Sequence, residues 1–219
     1  MNPYKPNKTY DVTVYTGHDE WRAGRLHGIG GSDAAAALGM SHWMSNVDLW
    51  KIKTGRMEQA DISDNPAVRY GTLAEAPLRT LYTLENTELY DVHYMADIVL
   101  VNREHPQMRY SPDGLLIEKS TGRLGIWECK TARANPYQKD LWKNEIPKEY
   151  YIQVLHGMNV TGAEFVELHA QIDYIGRKER KTFHIEREEV LEDLETVREG
   201  VLEFIEYINA DEEPPLWIG

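Results

Sequence analysis

The sequence predicts an α/β fold, one domain in which a mixed central β-sheet is flanked by helices. Three observations carry that expectation. Short apolar runs bounded by Gly, Pro, Asn and Ser recur at 89–94, 98–101, 115–117 and 125–130 and read as strands. Longer segments with apolar residues three and four apart, at 65–84, 148–160 and 187–208, read as helices. The 219 residues, 42% of them hydrophobic, suit a single domain spanning 1–219 with one sizeable core. Residues 1–20 are expected as an N-terminal extension and 209–219 as a C-terminal tail.

Taken in order, Tyr10, Val12 and Val14 alternate with polar residues, which predicts a short edge strand. In 21–38, Gly28, Gly30 and Gly31 precede Ser32, which is expected to cap a helix begun by Asp33 and the following alanines. Free N–H groups at a helix start, a hydroxyl and the nearby Arg25 make a phosphate-binding arrangement. Three other readings stand beside it. Gly28-x-Gly30 is a fragment of a dinucleotide fingerprint but follows no buried strand. Gly-Gly-Ser-Asp-Ala-Ala is similar to the phosphate loop of small-molecule kinases, which are longer chains. Simple helix capping is the third. His27 and His42 lack partner spacing for a metal.

A short helix is expected at 46–54, capped by Asn46 and stopped by Gly55, before a polar loop to 64. Asn65-Pro66 opens the next helix with a cap and a first-turn proline, with Gly71 and Pro77 as irregularities. Two strands follow within 87–101, and a turn at 102–107. Beyond the central hairpin, 131–143 reads as a loop entering a short helix after Asn135-Pro136. Lys130, Arg133, Lys139 and Lys143 form a sparse basic set there, for DNA backbone or for solubility. Pro147 opens the helix 148–160. Segments 163–172 and 181–185 form a hairpin around Gly176 with a basic tip. The last helix, 187–208, carries one apolar stripe, Val190, Leu194, Val197, Val201, Phe204 and Ile208, which reads as core packing. Trp217 and Ile218 after Pro214-Pro215 suggest a tail that docks on this chain or a neighbour.

The stretch 111–131 organises the rest. Ser111-Pro112-Asp113-Gly114 leads into an apolar run, Ser120-Thr121-Gly122 is a turn signal, and Glu128-Cys129-Lys130 follows. Two strands joined by that turn bring Asp113 beside Glu128. Side chains alternate along a strand, so Glu128 and Lys130 share a face while Cys129 points away. Two carboxylates are hard ligands for one or two Mg²⁺ or Mn²⁺ ions. Lys130 is then placed to orient or deprotonate a water, and a bound metal stabilises charge on phosphate oxygens. An exposed hairpin whose charges merely meet solvent is the plain alternative, but it has no need of Pro112 and Gly114 bracketing the acid.

These motifs resemble the PD-(D/E)xK nuclease superfamily, with its restriction-endonuclease-like fold, and more narrowly the YqaJ-type viral recombinase group that includes bacteriophage lambda exonuclease. The likeness spans roughly residues 21–162. It implies a metal-dependent 5′→3′ exonuclease that degrades linear double-stranded DNA and leaves 3′ overhangs for phage-type recombination. By resemblance, Gly71-x-x-x-Glu75 is the first family motif, with Glu75 at the metal directly or through water. Trp21, Arg25 and Ser32 have the spacing of the 5′-phosphate pocket. Ser111 and Gln153, the latter in Tyr-x-x-Gln-Val, complete it, and the Cys129 carbonyl is a further metal ligand. Some relatives carry a second glutamine where this chain has Leu155. The family also implies a homo-oligomeric ring, such as a trimer, and a single-strand annealing partner. An endonuclease of the same superfamily and a non-catalytic DNA-binding protein on this fold are the alternatives.

Composition narrows the class. A single cysteine excludes an internal disulfide framework and a four-cysteine metal cluster. A net charge of −12 argues against a protein that coats DNA through a broad basic face. Without a long apolar run or a leader at its polar start, the chain is expected away from membranes and in the cytoplasm, the host's if it is phage-encoded.

Overall fold

The computed structural model describes residues 2–133, 142, 145–174 and 176–217. Among these residues, eight strands fall in two sheets. The larger is mixed: β2 (Tyr90–His93), β5 (Gly114–Glu118), β6 (Leu124–Arg133), β7 (Phe165–Asp173) and β8 (Lys178–Glu186), in that spatial order. Among the strand pairs of this sheet, β6 and β7 run parallel, joined by the crossover helix α5 (Lys148–Thr161), as a parallel pair requires, and the other pairs are antiparallel. The smaller sheet, β1 (Tyr10–Val14), β3 (Ile98–Asn102) and β4 (Arg109–Tyr110), is antiparallel and packs on α5.

The central strand β6 is covered on both faces. Helix α5, with α2 (Gly31–Ala37) and α6 (Leu191–Ala210), closes the main core that holds Ile126, Leu168, Met158 and Phe204. Helix α4 (Pro66–Glu85) covers the other face, where Leu78, Tyr82, Leu116, Trp127, Cys129 and Phe165 form a second cluster. The period-2 rule therefore sorts β6: Trp127 and Cys129 pack beneath α4, and Glu128 and Lys130 take the α5 side. Asn65 caps α4 by accepting from Ala67 N, and the helix continues through Pro77 without interruption. Gly71 brings α4 close to β6, since a Cβ there would stand 3.1 Å from Thr131 Oγ1.

Several local expectations change. Residues His18–Gly24 form a helix, α1, that no apolar stripe announces. Helix α2 starts at Gly31, two residues earlier than expected. Its N-terminal N–H at Gly30 is satisfied by Asp33 Oδ2 at 3.0 Å, so Ser32 sits inside the first turn and does not cap it. Helix α3 (Asn46–Lys53) is capped by Ser45, whose Oγ accepts from Asp48 N at 3.1 Å. Asn46 is instead fully buried and holds the tail, donating to Pro215 O and accepting from Trp217 N. The tail thus docks on this chain, with Trp217 edge-on to Phe204 and Tyr207. The strands expected within 87–101 belong to different sheets. The last helix begins at Leu191, after a 3₁₀ turn over Arg187–Glu189, and its stripe packs in the core as expected. At the tip of the β7–β8 hairpin, Arg177 and Arg180 pair with Glu179 and Glu85, and Lys178 bonds the Tyr70 hydroxyl. The helix expected after Pro136, Lys139 and Lys143 lie outside the described residues.

Across the β7–β8 ladder, the buried Glu167 and the exposed His184 are direct cross-strand partners. His184 Nδ1 is 2.6 Å from Glu167 and Nε2 is 3.0 Å from Glu186. Burial disfavours the imidazolium, but the two carboxylates outweigh it and hold the pKa above its ordinary 6.5. A raised histidine pKa adds stability that is complete below 6.5 and is lost as pH rises through the folded value. Thermal melting between roughly pH 6 and pH 9 is expected to show this loss in the wild type and a flatter profile in His184→Gln. Parallel profiles would remove the pair from the pH dependence.

Candidate active site

The β5–β6 register pairs Gly114 with Trp127, which sets Asp113 across from Glu128. Asp113 is half-buried, and its Oδ2 accepts from Cys129 N at 2.8 Å. The main chain of Cys129 is thereby part of the site while its side chain lies on the other face of the strand, buried beside Trp127. Burial, followed by the charge of Asp113, pushes the Cys129 thiol well up, so it stays protonated.

Glu128 is 1% exposed. A carboxylate so placed needs donors on both oxygens, because an unpaired buried charge is very costly. Oε1 accepts from Lys130 Nζ at 2.7 Å and from Gln153 Nε2 at 2.5 Å. Oε2 accepts from the Tyr110 hydroxyl at 2.5 Å. Tyr110 was not among the residues expected from sequence. It reaches Glu128 because two helices lack side chains around its ring: a Cβ at Gly31 or Gly157 would lie 2.8 or 2.6 Å from it. A glycine inside α5 was the signal that something large approaches that helix.

The charges here do not balance. Burial, then repulsion from Glu128, pushes the Asp113 carboxyl well above the usual carboxylate range, against the pull of Lys130. For Lys130 burial favours the neutral amine, yet the carboxylates of Glu128 and Asp113 prevail and raise its pKa. The amine is an ammonium in this geometry, so it orients and compensates charge and does not accept a proton. Ionising Asp113 beside Glu128 against a single ammonium would leave excess negative charge on a hard-oxygen donor set, which fits a divalent cation.

Glu75 stands beside this group. Its Oε1 accepts from Arg79 at 2.8 Å, and the same guanidinium nitrogen donates to the Asp113 carbonyl at 2.9 Å. Arg79 lies over the Tyr94 ring at 3.5 Å. It too was missed from sequence, where a helical arginine gives no sign of its partner. Because Arg79 engages Glu75, the three acids do not converge: among the described residues no group of three His, Cys, Asp or Glu side chains is placed to hold a metal.

The second half of the site comes from α1 and α2. Arg25, at the end of α1, donates to Ser32 Oγ at 2.8 Å and sits 4.8 Å from the Trp21 ring. Trp21 is fixed by donating from Nε1 to Ile98 O. Lys53 pins the segment from below, with Nζ 2.7 Å from Asp33 and 3.1 Å from the Arg25 carbonyl. The buried His156 bridges the carbonyls of Ile29 and Arg109, and burial holds its pKa down. Among the described residues neither His27 nor His42 belongs to a group of three side chains that could hold a metal, and His42 pairs with Glu149. A cavity of about 170 Å³ joins both halves, lined by Arg25, Ser32, Ser111, Asp113, Glu128, Lys130 and Gln153. It adjoins an open cleft of about 1100 Å³ that Glu75 also lines. Every side chain expected to act therefore borders one continuous space.

Comparison with known proteins agrees with this architecture. The family model of the YqaJ-like viral recombinase domain matches residues 20–164. The uncharacterized protein YqaJ of Bacillus subtilis (strain 168) is 31% identical over 180 residues, 80% of this chain. The chain spans about half the length of that curated relative, 52% of it. Among solved structures, an alkaline exonuclease (LHK-Exo) from Laribacter hongkongensis superposes with a TM-score of 0.66 at 21% identity, covering 89% of this chain and 94% of its own. The same enzyme in complex with dAMP gives 0.65, with equal identity and coverage. The fold is thus a mixed α/β domain shared with an alkaline exonuclease, and the chain belongs to the YqaJ-like viral recombinase family.

Proposed function

We propose that this chain is a divalent-metal-dependent nuclease that digests linear double-stranded DNA from 5′-phosphorylated ends, leaving 3′ single strands for recombination. The observation that carries the reading is the single cavity in which Asp113, Glu128 and Lys130 meet Arg25, Ser32 and Ser111. One set suits phosphodiester hydrolysis and the other suits a terminal phosphate. The solved alkaline exonuclease with this fold, bound to dAMP, is consistent with a nucleotide in such a space.

Asp113 and Glu128 would hold Mg²⁺ or Mn²⁺, one or two ions, with Glu75 and the Cys129 carbonyl as outer contributors. A bound ion supplies an acidified water and neutralises charge on phosphate oxygens. The chain's own residues do the rest. Tyr110 and Gln153 hold the Glu128 carboxylate in one orientation. The Lys130 ammonium orients the water and offsets charge that grows on the phosphate. Arg25, steadied against Trp21 and Ser32, clamps the 5′-phosphate with charge-assisted hydrogen bonds. Assembly into a ring and transfer of the 3′ strand to an annealing protein belong to the same reading and rest on the resemblance.

Two experiments test it. In Mg²⁺, linear duplex with 5′-phosphates is expected to be degraded at least about tenfold faster than 5′-hydroxyl duplex, the worth of a hydrogen bond to a charged group. Arg25→Ala should erase that difference; equal wild-type rates would favour an internally cutting enzyme. Separately, Asp113→Asn removes the repulsion that the Asp113 carboxyl meets beside the buried Glu128, and metal-free protein with this change should melt about 2–4 °C higher than wild type. Added Mg²⁺ or Mn²⁺ should raise the melting temperature of the wild type and leave Asp113→Asn unmoved. A wild type indifferent to both ions would remove the metal from the mechanism.

A further inference from the structure

The loop between α2 and α3 presents Trp43, 63% exposed, on the wall of the open cleft that Arg25, Ser32 and Asp113 also line. The main-chain N–H of Trp43 donates to Ser41 Oγ at 3.2 Å, and the indole packs against the neighbouring His42 ring, whose centroid lies 4.0 Å away and which pairs with Glu149 of α5. Tyr150 of α5 stands 5.9 Å from Trp43, and the Tyr150 ring is 5.1 Å from Lys130 Nζ. An exposed aromatic face therefore lies on the order of 10 Å from Lys130, within a few nucleotides along a strand. None of the hydrogen bonds or ion pairs proposed to bind phosphate or metal uses it.

We propose that Trp43 is the stacking platform for one unpaired nucleobase of the strand that enters the site. The proposal rests on the nuclease reading above and adds a base contact to its phosphate contacts. Every base has a π-face, so such a platform grips the strand without reading its sequence. The cleft wall is charged, with Arg25 and Arg69 set among acids such as Asp61 and Asp97, so it offers cations to strand phosphates and suits a nucleotide strand better than an apolar peptide.

The test is a scan of 5′-phosphorylated oligonucleotides, each lacking one base near the 5′ end. Binding is followed by fluorescence anisotropy with Ca²⁺ in place of Mg²⁺ to hold back turnover. For the wild type, removal of one base within about the first three nucleotides should weaken binding by about 5- to 150-fold. Trp43→Ala should bind the intact oligonucleotide more weakly by a similar factor and no longer distinguish the abasic position. Trp43→Phe should retain most of that discrimination, which separates stacking from misfolding. The proposal falls if Trp43→Ala keeps wild-type affinity or the wild-type abasic pattern. A change in oligomeric state of Trp43→Ala by light scattering, with the abasic pattern intact, overturns it in favour of a contact between chains. A wild type that degrades DNA while Trp43 proves neutral removes the platform alone; a wild type that neither binds nor degrades DNA removes the nuclease reading with it.

Discussion

The burial of Glu128 constrains more of this structure than any other single contact. A carboxylate removed from water needs compensation on both oxygens, and the compensating groups come from three separate elements: Tyr110 from the small sheet, Lys130 from the same strand and Gln153 from the crossover helix. Each then imposes its own demand. Tyr110 needs helices α2 and α5 to approach its ring without side chains, which Gly31 and Gly157 permit. Gln153 needs α5 to cross directly above β6, which the parallel β6–β7 pair secures. The packing of the domain and the orientation of one acid are thus the same problem.

The alternation along β6 lets one strand serve two purposes. Trp127 and Cys129 bury apolar surface beneath α4, while Glu128 and Lys130, one residue out of phase, remain on the side that borders the cavity. A slip of one residue would exchange the two sets and bury an ammonium under α4. Register is held by β7, paired with β6 over nine residues, and by the close fit of Phe165 over Gly125. The site itself works against stability, because Asp113 and Glu128 repel each other where burial weakens their solvation. That repulsion is tolerable only because the two core clusters on either face are large.

What the sequence disclosed follows from which interactions are local. The pair Asp113 and Glu128, with Lys130 on the same face, was legible because a hairpin and a period of two place them without further information. Asn65-Pro66 announced α4 for the same reason. The choice between Ser45 and Asn46 as a cap was not legible, since both residues cap well and the decision lies with Pro215 and Trp217, far along the chain. The division of β2 from β3 between two sheets depends on pairing with β5 and β1, which no local pattern encodes. Tyr110 and Arg79 were invisible for a related reason: each acts on a group from a different element, and neither has a distinctive neighbour in sequence. Arg25 and Ser32, nominated for a 5′-phosphate through resemblance, contact each other directly in the structure.

The acidity of the chain bears on how it would hold DNA. At a net charge of −12, long-range attraction to a polyanion is absent, and release of counterions from a broad basic face cannot supply the affinity. Several basic side chains outside the cleft are already paired within the chain, among them Arg123 with Glu118 and Glu186, and Arg198 with Glu195. On the proposed reading, grip must then come from short-range contacts confined to one cleft: a clamped terminal phosphate, a metal between two acids and a base against an indole. Contacts of that kind engage a strand end far better than a duplex interior, because only an end offers a terminal phosphate and bases free to leave the stack. Acidity elsewhere on the surface thus sharpens the preference for ends by discouraging every other mode of binding.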